Sequence, residues 1–169
     1  MKIVLIGFMC SGKSSVGRLL SKRLGWPFFD TDELVEKQVG GSVADIIRTQ
    51  GEPAFRDVEK KAVQLISLSD SCVISTGGGV PMDPDNMKDL SRNGEIIWLK
   101  VSPETVLKRA GNAKSRPLID PQDPLASIRK RMNERASFYS QAAHSIETDL
   151  LSQQEIVEKI MKLIPSILK

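Results

Sequence analysis

Histidine occurs once, at His144, and cysteine twice, at Cys10 and Cys72. Two cysteines so far apart make neither a disulfide framework nor a CxxC metal motif. They are expected to be free thiols in a reducing, cytoplasmic setting. A lone histidine without neighbouring ligands or a nucleophile reads as structural or exposed. Aromatic residues are only 5% of the chain, too few for the stacking platforms that hold single-stranded nucleic acid. Neither sign of charge dominates: 24 Lys+Arg face 21 Asp+Glu, a net +3. That suits an anionic ligand but lacks the clustered basic face that duplex nucleic acid requires. Long apolar runs are missing too. Ile3 to Ile6 is cut by Gly7 and then by Ser11-Gly12-Lys13, far short of a membrane span and without a signal-peptide cleavage region. With no repeat, low-complexity tract or dividing linker, residues 1–169 read as one domain.

What remains is ordinary globular material, 40% hydrophobic and 27% charged, long enough to bury a core without staples. Lys2 to Ile6 suits a strand buried on both faces. Val16, Leu19, Leu20 and Leu24 then recur at helical spacing, and Gly25 with Pro27 stops that helix. Pro27-Phe28-Phe29 predicts a second strand. Asp32 to Val39 is a helix closed by Gly40-Gly41, and Ser42 to Asp45 restarts one with a capping-box pattern. Phe55, Val58, Ala62, Leu65 and Ile66 are expected on one apolar face. Cys72 to Thr76 and Glu95 to Val101 predict two further strands. Ser102-Pro103-Glu104 opens a helix. Periodicity fails from Gly111 to Pro124, a length that in a compact domain marks a functional or a disordered segment. Helix resumes from Leu125 to Tyr139, Ser145 to Thr148 predicts a fifth strand, and Ser152 caps a final helix. Strands alternating with helices imply a three-layer α/β fold on a parallel sheet. Ligands of such sheets sit beyond the carboxyl ends of the strands, the edge where the glycine-rich and acidic segments fall.

Gly7-Phe8-Met9-Cys10-Ser11-Gly12-Lys13-Ser14 matches GxxxxGK[ST] between a predicted strand and a predicted helix, the context of a phosphate-binding loop. Curled backbone N–H groups and a helix N-terminus make a cradle for phosphate oxygens, to which Cys10, Ser11, Gly12, Lys13, Ser14 and Ser15 contribute. Lys13, expected at the exposed mouth of the cradle, would bridge the β- and γ-phosphates of ATP, and Ser14 would offer its hydroxyl to Mg²⁺. Asp30-Thr31-Asp32 places two carboxylates on one face if the segment is extended. One could serve Mg²⁺ and the other take a proton from an acceptor hydroxyl; alternatively the pair is a helix cap with first-turn acids. Gly77-Gly78-Gly79 would let a small polar substrate approach the main chain and leave N–H groups to donate. Arg116, inside the aperiodic segment, is placed to swing over a transferring phosphoryl group.

Taken together these motifs resemble the shikimate kinase family over nearly the whole chain. The resemblance rests on the GxxxxGKS loop, Asp30-Thr31-Asp32, Gly51-Glu52 with Phe55-Arg56 and Glu59, Gly77-Gly78-Gly79, Arg116-Pro117-Leu118, and Arg135 four residues before Tyr139. It implies an αβα P-loop fold of the nucleoside-monophosphate-kinase type, with five parallel strands in spatial order 2-3-1-4-5. A substrate-binding helical region would span about 31–60 and a mobile lid about 111–124. It further implies transfer of the ATP γ-phosphoryl to the 3-hydroxyl of shikimate, a step toward chorismate and the aromatic amino acids, by a monomer with no nucleic-acid or membrane partner. By matching position, Asp32 would act as base, and Asp30 would support Mg²⁺ with Ser14. Arg56 and Arg135 would hold the substrate carboxylate beside the Gly78 main chain. Arg116 would be the lid arginine and Arg109 would lie near the adenine. Gln153 stands where the family often has proline after the helix-opening serine, and Arg135-Ala136 lacks a proline common after that arginine. Gluconate, which also pairs hydroxyls with a carboxylate, is the nearest rival acceptor, and a non-enzymatic nucleotide switch the rival of another class.

Overall fold

The computed structural model describes residues 1–111 and 119–164. Its strands are β1 (Lys2–Ile6), β2 (Phe28–Asp30), β3 (Val73–Ser75), β4 (Gly94–Lys100) and β5 (His144–Glu147). All are parallel and lie in the order β2-β3-β1-β4-β5. The uninterrupted apolar run of β1 follows from its central place, where every one of its residues is buried. Its side chains alternate as a pleat demands. Val4 and Ile6 join one apolar cluster with Ile74 and Ile96. Ile3 and Leu5 join a second with Val73, Ile97 and Leu99.

Helices cover both faces. On one, α1 (Lys13–Leu24) brings Val16 and Leu20, and α7 (Gln153–Leu163) brings Ile156, Val157 and Ile160. On the other lie α3 (Val43–Ser67), α4 (Pro84–Ser91), α5 (Pro103–Ala110) and α6 (Pro124–Tyr139), through Val63, Leu90, Val106 and Ile128 among others. The short α2 (Thr31–Val39) packs with α3 around Val35, Ile46, Phe55 and Ala62. Lys2, although 1% exposed, is satisfied: its Nζ donates to Ser67 O at 2.8 Å and Arg92 O at 2.5 Å, tying the C-terminal ends of α3 and α4 together.

Several expectations change in detail. α3 is broken at Gly51 (φ 85°, ψ 164°), an extended conformation at positive φ that glycine alone takes without strain. Leu65 does not share the apolar face; it is 68% exposed. A 3₁₀ turn at Val80–Met82 and α4 stand where no element was expected. With only Met87 and Leu90 as apolar markers in eight residues, α4 is too short to display a helical period. Of the segment 111–124, residues 112–118 lie outside the described residues, and with them Arg116. At its far end Ile119 is buried, and Asp123 caps α6 by accepting from Ala126 N. Among the described residues no helix is long and apolar enough to cross a membrane.

Candidate active site

Between β1 and α1 the chain turns tightly. A Cβ on Gly7 (φ 146°) would stand 2.5 Å from Leu99 O, and Gly12, the N-cap of α1, holds φ 96°. Cys10 also takes positive φ, at 59°. Lys13 is not at an exposed mouth: it is buried, and its Nζ donates to Gly7 O at 2.9 Å and Phe8 O at 2.8 Å. The loop carbonyls draw the ammonium inward because it starts the helix whose N-terminus the loop wraps. Burial lowers its pKa to about 8, against the pull of Asp32 and Asp30.

At the next position, Ser14 Oγ donates to Asp30 Oδ2 at 2.7 Å and lies 3.3 Å from Ser75 Oγ. The other carboxylate oxygen of Asp30 accepts from Asp32 N at 3.0 Å, capping α2. Asp30 is therefore helix cap and phosphate-loop partner at once. Asp32 lies in the first turn of α2 rather than in an extended segment, so the acidic pair is brought together by a cap and not by strand alternation. Burial pushes the Asp32 carboxyl up, Asp30 adds to the rise, and Lys13 opposes it. No cluster of three or more His, Cys, Asp or Glu suited to a metal occurs among the described residues. One carboxylate with a hydroxyl beside a phosphate cradle is still the sparse oxygen set suited to an ion that keeps waters and phosphate ligands.

Past β3, the triple glycine serves as a floor for charged side chains. A Cβ on Gly77 would meet Asp32 Oδ1 at 2.6 Å and Glu59 Oε1 at 2.8 Å. One on Gly78 would meet Arg135 Nη1 at 3.2 Å, and one on Gly79 would strike the Arg56 guanidinium, with Cζ at 2.5 Å. None of the three has positive φ, so what they supply is room rather than backbone freedom. The Gly77 N–H is not left to a ligand, because it donates to Thr31 Oγ1 at 2.7 Å. Tyr139 Oη donates to Gly78 O at 2.6 Å, and Arg135 stacks over Phe8 at 5.5 Å.

Arg56 bridges Glu59 Oε2 (2.7 Å) and Glu52 Oε1 (2.8 Å). Glu59 is 1% exposed, its Oε1 has no hydrogen-bond partner among the described residues, and burial pushes its carboxyl up. Glu59, Thr31 and Tyr139 stand in the motifs that carry the resemblance, but no role in the site was expected of them. The signal for Glu59 was present: a carboxylate on the stripe Phe55, Ala62, Ile66, where only apolar residues belong unless a partner waits.

Two cavities border the phosphate loop. One of about 300 Å³ is lined by Lys13, Ser14, Asp30, Asp32, Thr76 and Gly78 among others. The other, about 560 Å³, lies between the loop, Arg109 and the residues Leu151–Gln154. Cys10, Gly12 and Ser15 line both. Arg109 reaches Cys10 O at 3.1 Å and Thr148 O at 3.4 Å. The structure thus gathers Lys13, Ser14, Asp30, Asp32, Arg56, Gly77 to Gly79 and Arg135 at one sheet edge. Arg109 stands at the far end of the loop.

The family model described as "Shikimate kinase" matches residues 9–165. The chain is 47% identical over 165 residues to a shikimate kinase of Symbiobacterium thermophilum, covering 96% of this chain and 95% of that one. A shikimate kinase of Moorella thermoacetica is 46% identical over 87% of this chain and 84% of its own. In structure the fold is similar to the shikimate kinase of Acinetobacter baumannii in complex with shikimate. There the TM-score is 0.93 at 31% identity, over 98% of this chain and 93% of that one. The Aquifex aeolicus shikimate kinase gives a TM-score of 0.87 at 36% identity, over 99% and 98%.

Proposed function

Because the chain belongs to the shikimate kinase family, whose members are ATP-dependent kinases, we propose that it carries the ATP γ-phosphoryl to the 3-hydroxyl of shikimate with the residues gathered above. The observation that carries this reading is the glycine floor: an acid, Asp32, and two cations, Arg135 and Arg56, crowd three consecutive glycines beside the cavity that Lys13 lines. A small acid bearing hydroxyls asks for that pairing of a cationic clamp with a hydroxyl-reading carboxylate.

In this reading Asp32 accepts the proton of the 3-hydroxyl as the new O–P bond forms, and its raised pKa makes it a better base than an ordinary aspartate. The bond from the γ-phosphorus to the bridging oxygen breaks, and ADP leaves with the electron pair. Lys13 exchanges the Gly7 and Phe8 carbonyls for phosphate oxygens and neutralises charge as it shifts to the leaving group. Arg56 and Arg135 offer planar pairs of donors to the substrate carboxylate, with Glu59 and Glu52 holding Arg56 in place. Ser14 and Asp30 are the groups that would hold Mg²⁺. Such an ion, bound to the phosphates, supplies charge neutralisation. Arg109 and the wall at Leu151–Gln154 would receive the adenine. Arg116, the expected lid arginine, lies outside the described residues.

The test is ADP release from Mg-ATP alone and then with shikimate, gluconate, AMP or CMP added in turn. Shikimate should stimulate release and the others should not. Stimulation by gluconate alone, or by no acceptor, would overturn the assignment.

A further inference from the structure

The two walls of the larger cavity come from distant parts of the chain. Arg109 closes α5, and Leu151–Gln154 follows β5. They are joined by a residue that does not line the cavity. Asp149 accepts the Ser102 backbone N–H on both carboxylate oxygens (3.0 and 3.2 Å) and the Ser102 hydroxyl at 3.2 Å. Ser102 is the N-cap of α5 and accepts from Thr105 N at 3.2 Å. Thr148, fully buried, anchors the same corner through N and Oγ1 to Lys100 O at 2.9 and 2.7 Å. Its own carbonyl accepts from Arg109, whose other arm reaches the phosphate loop at Cys10.

The contacts form a closed circuit. Asp149 fixes the start of α5, α5 carries Arg109, and Arg109 returns to the residue next to Asp149. A carboxylate at a helix N-terminus is also favoured by the helix dipole. Partial burial works against the charged form, but the bonds from Ser102 hold the Asp149 carboxyl below its usual range.

We propose that Asp149 is a positioning residue for the nucleotide donor: by clasping Ser102 it sets the gap between Arg109 and the Leu151–Gln154 wall, and so the fit of the base. This rests on the reading above that the larger cavity receives the adenine. Among the described residues neither Asp149 nor Ser102 hydrogen-bonds to Lys13, Ser14 or the glycine floor, and the clasp reaches the phosphate loop only through Arg109 at Cys10.

The experiment compares equilibrium binding of ATP and of inorganic tripolyphosphate at one magnesium concentration. The proteins are wild type, Asp149→Ala and Asp149→Asn, and KM is measured for both substrates. Asp149→Ala should weaken ATP about tenfold, the scale of one lost charge-assisted hydrogen bond. It should leave tripolyphosphate binding and the shikimate KM unchanged. Asp149→Asn keeps an acceptor for the Ser102 N–H and should recover most of the loss. A merely structural role predicts a lower melting temperature without this split. Unchanged ATP binding in Asp149→Ala, or equal loss for ATP and tripolyphosphate, overturns the proposal. Wild type binding ATP no tighter than tripolyphosphate overturns it differently, by removing the base from the cavity. If Asp149→Ala does not fold, Ser102→Ala, which deletes the hydroxyl arm of the clasp together with the cap on Thr105 N, must show the same split between ATP and tripolyphosphate; unaltered ATP binding there overturns the proposal.

Discussion

Arg56 lies against the main chain of Gly79 so closely that a single added methyl group would overlap its guanidinium. The guanidinium is the far end of a flexible side chain, yet it is pinned by Glu52 and by the buried Glu59. Moving it therefore breaks one of those pairs.

Gly79→Ala is accordingly expected to raise the KM for shikimate by roughly tenfold, the cost of a disturbed charge-assisted hydrogen bond. The KM for ATP should stay as it was. Gly78→Ala, whose new methyl would meet Arg135 at 3.2 Å, should do so more mildly. Steady-state kinetics on the two variants checks the order, and an unmoved shikimate KM in Gly79→Ala would count against the clamp.

Lys13→Met should abolish phosphoryl transfer without lowering the melting temperature at neutral pH. Burial lowers the Lys13 pKa to about 8, while in the unfolded chain it sits near 10.4. Between those values the unfolded state binds more protons, so the Lys13 contribution to stability rises with pH across that window and is at its least below it. Removing the side chain relieves that burden at pH 7 and so offsets the loss of the bonds to Gly7 O and Phe8 O. A mutant that circular dichroism shows to be unfolded would make Lys13 structural instead.

Protonation of Lys13 also governs nucleotide binding. ATP favours the ammonium, which the free protein carries below about pH 8. Above that, binding must draw a proton from solution, so ATP affinity should fall as pH rises beyond 8. Calorimetry in buffers of different ionisation enthalpy should find proton uptake at pH 9 that is missing in Lys13→Met. Identical uptake in both proteins would assign the titration elsewhere.

Asp32 and Arg135 should fail in different ways. Asp32→Asn removes a base used only in the transition state and should lower kcat by roughly 10²–10⁴-fold, with little change in shikimate binding. Arg135→Ala removes binding that does not change along the reaction, so KM should rise more than kcat falls. Arg135→Lys should not restore it, since an ammonium lacks the planar fork. A shikimate analogue without the carboxylate should be a poorer substrate than shikimate for wild type and an equal one for Arg135→Ala. If Arg135→Ala keeps the wild-type preference for the acid, Arg135 lies outside the clamp.

The sheet was legible because most of its strands are short runs of aliphatic or aromatic residues closed by glycine, proline or acid, and the phosphate loop because its spacing carries its own mechanism. Burial of individual polar side chains was not legible. Lys13 reads as a solvent-facing charge until the carbonyls of Gly7 and Phe8 turn inward to meet it. Asp30 reads as either a cap or a site residue, and only the fold shows one oxygen doing each. Glu59 betrays its burial by standing on an apolar stripe, but neither it nor Tyr139 carries a local pattern that records which glycines its helix will be laid against. Leu65 errs the other way, an apolar residue at the right spacing that is left largely exposed.

β1 stands at the middle of the sheet, and both its neighbours are made much later than it is: Val4 pairs with Ile74 on one side and with Ile96 on the other. During synthesis the strand that ends in the phosphate loop must therefore wait, apolar on both faces, until β3 and then β4 emerge, and β2 has only β3 to pair with. Closing such distant parallel pairings is slow. The cavities beside the loop are walled by Thr76, Gly78, Arg109 and Leu151–Gln154, all made after it, so the proposed nucleotide site is completed only in the later half of folding. A chain interrupted before β4 would carry the whole phosphate-loop motif and be unable to use it.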